Sequence, residues 1–290
     1  MNLQVGALSN KGKVRSSNED NFCLNGWHLP QKHGTMQQPM LKIYNTKDFI
    51  HFGVFDGMGG YQAGDRASYL AATMEETIPG LQYEPDLGQM FSVICREANL
   101  RICSEMELLQ GPTGSTASLL GFYQNDLYLC NIGDSPIFRL RDHTILQLSL
   151  EHSERSIFEQ TTGKKTDYHQ KFALTQNLGI SPSDMVIEPY ESKETVQNGD
   201  RYLICSDGIT DMISQDQIQR VLDSGESIER TLRTLEQDAL QAGGKDNLTM
   251  ILIEVQEEEA PEVQEKPEKQ MGIQGTASRV AENLKQFFKR

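Results

Sequence analysis

The apolar pattern of this 290-residue chain predicts an α+β domain with strands at its centre and helices packed outside them. Three observations carry the expectation. Short apolar runs rich in β-branched or aromatic residues end at Gly or Asp, and apolar residues at helical spacing lie on either side of them in the chain. The order is two helices, a run of strands, then two more helices, with no internal repeat.

In chain order, Phe49–Phe55 reads as a strand. Helices follow over 62–78, where Ala63, Ala67, Leu70, Ala71 and Met74 share a face, and over 86–110, where Leu87, Phe91, Ile94, Ala98 and Ile102 do. Ser118–Phe122, Leu127–Ile132, Ile137–Leu140 and Thr144–Leu148 read as strands. Residues 149–192 are polar and aperiodic, and read as a surface excursion between strands, a mobile loop in preference to a substrate-contacting flap. A strand Arg201–Cys205, short helices at 215–223 and 226–242, and a strand Leu248–Val255 complete a folded domain over 1–256. Glu257–Glu268 then holds six acids, two prolines and one lysine, so 257–277 is expected to be an acidic, polar linker. Ser278–Arg290 places Val280, Leu284, Phe287 and Phe288 on one face and is expected to be an amphipathic C-terminal helix.

Lys and Arg number 27 against 41 Asp and Glu, a formal charge of −14, so nucleic acid is not expected as a partner. An apolar fraction of 37% is ordinary for a globular protein and excludes global disorder. Five widely spaced cysteines with no C-x-x-C pair suggest neither a zinc knuckle nor a disulfide framework. With no apolar run long enough for a leader or a membrane span, a cytosolic protein is expected.

Four aspartates stand beside small residues at the ends of apolar runs: Asp56 in FGVFDGMGG, Asp134 in CNIGDSP, Asp207 in LICSDGI and Asp246 in GGKDNLT. A lone Asp-Gly is usually a turn. Four carboxylates on strand ends, with glycines allowing close approach, point instead to a cluster for hard cations. Oxygen donors without His or Cys favour Mg2+ or Mn2+ over Zn2+. RSSNED adds Glu19, Asp20 and the fork of Arg15, which suits a bidentate phosphate contact, although alone the segment reads as a capped turn. Ser115 and Thr116 in TGSTAS lack a nucleophile elbow and read as strand-entry packing, and His152 reads as a structural histidine.

In order, RSSNED, FGVFDGMGG, TGSTAS, LYLCNIGDSPIFRL, HS, LTQNLG, YLICSDGITDMIS and GGKDNLTMILIEV resemble the PP2C-type (PPM) metal-dependent protein serine/threonine phosphatases, in their compact bacterial form, over about residues 3–255. The resemblance implies a four-layer αββα sandwich of two antiparallel sheets flanked by helix pairs. It implies that Asp56 bridges two Mn2+ or Mg2+ ions, with Gly57 lending its carbonyl and Glu19 serving the second ion. Asp207 and Asp246 would hold the first ion, Asp20 and Asn247 would support these ligands from behind, and Asp134 would serve a third, weaker site. Arg15 would bind the substrate phosphate. The implied activity is hydrolysis of phosphoserine and phosphothreonine proteins by a metal-bridging hydroxide, opposing a Ser/Thr kinase, in a cytosolic monomer. A catalytically silent phosphoprotein-binding module and a phosphatase of small phosphometabolites are the alternatives. Two positions depart from the pattern: Met58 stands where many members have His, and Pro136 replaces the Arg of G-D-S-R. The C-terminal helix is expected to dock on a partner, on an anionic membrane surface or back on the catalytic domain.

Overall fold

A computed structural model describes residues 1–59, 63–74, 87–109, 111–164, 166 and 172–257. The chain opens with β1 (Asn2–Asn10), β2 (Asn21–Leu24), β3 (Trp27–His28), β4 (Met40–Asn45), β5 (Ile50–Phe55) and β6 (Gly57–Gly59), followed by α1 (Gly64–Met74) and α2 (Leu87–Leu109). The middle holds β7 (Thr113–Ser115), β8 (Ala117–Tyr123), β9 (Asp126–Ile132), β10 (Ile137–Arg141), β11 (Thr144–Gln147) and α3 (Glu154–Thr162). It closes with β12 (Tyr190–Thr195), β13 (Arg201–Cys205), α4 (Asp207–Thr210), α5 (Gln215–Leu222), α6 (Ile228–Gln241) and β14 (Leu248–Gln256).

Two six-stranded antiparallel sheets result, one in the order β11-β10-β13-β14-β1-β4 and the other β12-β9-β8-β5-β2-β3. Most of their inner strands are apolar on both sides because each sheet is covered on both faces. Along β14, Ile251, Ile253 and Val255 point to the opposite sheet, among Val5, Phe52, Phe122 and Tyr202. Leu248, Met250 and Leu252 point outward to Ile218, Leu232 and Leu235 of α5 and α6. In the second sheet Leu120 and Phe122 face inward. Leu119, Cys130 and Ile132 meet Ala71, Phe91, Ile94 and Ile102 of α1 and α2. Three apolar layers between four layers of secondary structure make the expected αββα sandwich.

Capping serines end the helices where the apolar pattern says they should. Ser214 forms a capping box with Gln217 at α5, and the Ser227 hydroxyl accepts the Arg230 N–H at α6. Just before β13, an inner strand of the first sheet, Asp200, only 1% exposed, takes two hydrogen bonds from Arg141 at 2.7 and 2.6 Å and one from the Tyr202 hydroxyl at 2.8 Å.

The polar stretch 149–192 is where expectation and structure part. It contains α3 and β12, is fastened to the body by a bridge from Ser115 to Leu178, and is closed on itself by one from Ser153 to Leu174. The Ser153 hydroxyl accepts the Ser156 N–H at 3.2 Å and Gly163, at φ 66, ends the helix. Seven of the nine residues of α3 carry polar or charged side chains and none of the nine is buried, so it left no apolar period to read. The expected linker and amphipathic helix lie, beyond Glu257, outside the described residues. Among the described residues no helix is long and apolar enough to cross a membrane.

Candidate metal centre

Strand ends deliver the flagged carboxylates to one place. Asp56 follows β5, Asp134 lies between β9 and β10, Asp207 opens α4 directly after β13, Asp246 precedes β14 and Glu19 precedes β2. All five line a single cleft of about 720 Å3, together with Arg15, Gly57 and Asn247. Asp20, 1% exposed, stands behind it and accepts the Ser206 hydroxyl at 2.8 Å, while that hydroxyl accepts the Thr249 N–H at 3.0 Å. The structure therefore brings the nine site residues expected from the sequence to the cleft or its back wall.

Hydrogen bonds set each position. The Asp56 N–H donates to Thr116 Oγ1 at 3.0 Å and its carbonyl accepts the Thr116 N–H at 2.9 Å. Thr116 is thus an anchor for the metal-side turn. Asn247, 4% exposed, ties three segments together: its Oδ1 accepts the Glu19 N–H at 2.8 Å, and its Nδ2 donates to the Lys11 and Ser17 carbonyls, both at 2.9 Å. His152 accepts the Gly133 N–H on Nδ1 at 3.2 Å and donates its own backbone N–H to Gly133, so it pins the Asp134 turn. The glycines after Asp56 and Asp207 are there for room. A Cβ on Gly57 would collide with the carbonyl oxygens of Gly64 and Glu19, and one on Gly208 with the carbonyl oxygen of Asn247.

The cleft is short of positive charge. Withdrawal from water, then the charges of Asp20, Asp207, Asp134 and Asp246, holds the Asp56 carboxyl well above its ordinary range. Burial, reinforced by Asp207 and Glu151, pushes Asp134 up to about 8. Burial raises Glu19 as well, against the pull of Arg15. Arg15 Nη2 lies 2.6 Å from Asp246 Oδ2, and despite partial burial this bond keeps the guanidinium above its usual value. Among the described residues no three acidic, His or Cys side chains are already drawn in tightly enough to hold one ion. The donor set nevertheless fits hard divalent cations. It is all oxygen, its members repel one another across one cleft, and the Arg15 guanidinium already stands as the cation on Asp246.

Several cleft-lining residues went unflagged in the sequence: Glu151, Arg155, Phe172, Leu174 and Asn177, all from the stretch taken for a loop, and Asp211 after α4. Arg155 lies 3.9 Å from Asp211 and over the Phe172 ring, 5.4 Å from its centroid. Met58 and Pro136 also line the cleft. Pro136 does not disturb the strand junction, since its carbonyl accepts the Cys205 N–H at 3.2 Å and β10 starts at the next residue.

Comparison with known proteins places this arrangement. The model of the protein phosphatase 2C family matches residues 31–252. The serine/threonine protein phosphatase PstP of Mycobacterium tuberculosis is 29% identical over 267 residues, which span 87% of this chain and 45% of PstP. The chain thus spans less than half the length of that relative. Protein phosphatase PhpP of Streptococcus pneumoniae is 31% identical over 214 residues, 71% of this chain and 85% of PhpP. The crystal structure of the PstP catalytic domain in complex with two manganese ions matches with a TM-score of 0.70 and 25% identity, covering 89% of this chain and all of that one. Family match, relatives and fold agree with the motif order, and the chain belongs to the protein phosphatase 2C family.

Proposed function

We propose that this chain hydrolyses phosphoserine and phosphothreonine in proteins at a centre of two divalent cations, Mn2+ or Mg2+. The observation that carries the reading is the convergence of Glu19, Asp56, Asp134, Asp207 and Asp246 on one cleft, where burial and the neighbouring aspartates hold the Asp56 carboxyl above its ordinary range. Asp56 would bridge the pair, with Asp207 and Asp246 on one ion and Glu19 and the Gly57 carbonyl on the other, and Asp134 would serve a third, weaker ion. Bound there, the ions would activate water for attack on phosphorus and offset charge on the phosphoryl oxygens. The manganese pair in the PstP catalytic domain supports this choice of metal.

The chain's own residues supply position. Arg15, 47% exposed at its side chain, presents a fork suited to two phosphoryl oxygens. Asn247 holds the backbone on either side of it. Asp20 and Ser206 stiffen the wall behind. Met58 has no proton to give a leaving alkoxide. A silent binding module is the weaker reading, because nothing short of bound cations would favour keeping so many carboxylates together. The partners proposed are phosphoproteins made by a Ser/Thr kinase, met by a monomer in the cytosol.

The test is phosphate release from a phosphothreonine peptide by EDTA-stripped protein with and without Mn2+, beside Asp207→Asn. Mn2+-dependent turnover that disappears in the variant is expected. Calorimetric Mn2+ binding without turnover would overturn the reading and favour the binding module.

A further inference from the structure

At the mouth of the cleft the chain builds a basic rim that the metal centre does not require. Lys11-Gly-Lys13-Val14-Arg15 and Gly243-Gly244-Lys245-Asp246 lie at opposite ends of the sequence, yet they are fastened together. The Lys13 N–H donates to the Gly244 carbonyl at 2.8 Å, Asn247 Nδ2 holds the Lys11 carbonyl at 2.9 Å, and Arg15 meets Asp246 at 2.6 Å. Gly12, at φ +78, passes so close to the Asp246 carbonyl that any side chain would collide with it. None of these contacts uses a lysine side chain; the side chains of Lys13 and Lys245 are exposed, and Val14, between Lys13 and Arg15 in the chain, is 68% exposed. Among the described residues Lys11, Lys13 and Lys245 enter no ion pair. The chain as a whole carries −14. A local group of lysines beside the phosphate-binding arginine is therefore not explained by composition.

Resting on the phosphatase reading above, we propose that this rim binds oxyanions flanking the phosphorylated residue of a substrate protein, whether Asp and Glu carboxylates or a second phosphate. A residue two or three places from the phosphorylated one lies about 7–10 Å away along an extended peptide, and Lys13 and Lys245 are chain neighbours of Arg15 and Asp246, the ion pair that lines the cleft. At physiological salt, charges beyond about 8 Å are screened, so a flanking anion feels the nearby lysines more than the remote acidic surface.

The experiment compares the Mn2+-loaded full chain with the double variant K13Q/K245Q on three phosphothreonine peptides, flanked by Asp and Glu, by Ser and Gly, or by a second phosphothreonine. Glutamine keeps the loop contacts, which Lys13 makes through its N–H. The expected readout is a kcat/KM about fivefold higher for the anionic flanks than for the neutral one in the wild type, carried by KM, falling to near parity in the variant and in high salt. Preference for only one anionic peptide identifies carboxylate or phosphate as the source. An equal ratio in wild type and variant, or a wild-type preference for the neutral flank, overturns the proposal. Fluorescence anisotropy of an unphosphorylated acidic peptide applies the same comparison without turnover, and loss of binding in the variant is required there too. Absence of Mn2+-dependent turnover on all three peptides would instead count against the phosphatase reading.

Discussion

Replacing Gly208 by Ala separates two reasons for an Asp-Gly pair, turning and room. Gly208 is the second residue of α4 and is not among the glycines with positive φ. Its backbone is one that alanine accepts, and on helix propensity alone the substitution would stabilise by about 0.5–1 kcal/mol. Space argues the other way. The new Cβ would fall inside the shell of the Asn247 carbonyl oxygen, 3.0 Å from the carbonyl carbon and 3.2 Å from Leu248 Cδ2. The obstacle is backbone at the entry of a central strand, so α4 and the Asp246–Asn247 segment must part by about 1.5 Å before ordinary packing returns. Overpacking of this kind costs about 1–3 kcal/mol, which for a domain of this size lowers the melting temperature by about 3–10 °C. The same displacement separates Asp207 from Asp246. Metal sites tolerate about 0.2 Å in ligand distance, and a misplacement of about 1 Å in a catalytic group costs on the order of 100-fold in rate. Thermal melting, Mn2+ titration by calorimetry and kcat/KM on a phosphothreonine peptide should all fall together in G208A. A melting temperature equal to or above wild type, with unchanged Mn2+ affinity, would refute the argument from room.

Asp200→Ala removes the carboxylate that Arg141 and the Tyr202 hydroxyl share. A buried pair broken from one side costs about 3–5 kcal/mol, so the melting temperature should drop by more than for G208A. Asp200 lies at the opposite end of β13 from Asp207, and the Mn2+ affinity of the folded variant should stay at the wild-type value; a parallel loss of affinity would contradict the placement. In the metal-free protein, burial first, then Asp207 and Asp246, pushes Asp20 up to about 7, and Asp134 rises to about 8. Both values exceed the unfolded carboxylate value of about 3.9. Their contribution is fully present below that value and is lost as pH rises through the folded ones. Melting of the metal-free protein should therefore fall between about pH 5 and pH 8, and saturating Mn2+ should flatten the fall. A metal-free midpoint that climbs over this window would show the sign to be wrong.

Strands covered on both faces were legible because they must be apolar at nearly every position, as β8, β9, β13 and β14 are. β1, β2, β3, β4, β6, β7 and β12 were not, and β1 and β12 show why. β1 is an inner strand of its sheet, paired on both sides between β14 and the edge strand β4, but Gln4, Ser9 and Asn10 break its run. Those polar groups are satisfied only in the fold, Ser9 by Thr249 at 2.8 Å and Asn10 by Glu236 at 2.7 Å. β12 is an edge strand, YESKET, whose alternation is between intermediate and exposed positions and leaves no apolar side to count.

The site divides along the same line, and β1 is the reason. Asp56, Asp134, Asp207 and Asp246 could be recognised as a set, since each stands at one end of an apolar run with glycine close by. That Glu19 and Arg15 belong with them depends on a pairing between the two ends of the chain. β1 runs antiparallel to β14 in a register that sets Ser9 opposite Thr249 and Asn10 opposite Leu248. The segment leaving β1 therefore has to pass the segment entering β14, Asn247 can bond both, and Arg15 reaches Asp246. A register slip of one residue would turn every side chain of β1 to the other face, setting Leu3, Val5 and Ala7 toward the outer helices and withdrawing Ser9 from Thr249. The apolar core between the sheets thus fixes the register, and through the register it fixes which arginine and which glutamate stand beside the aspartates.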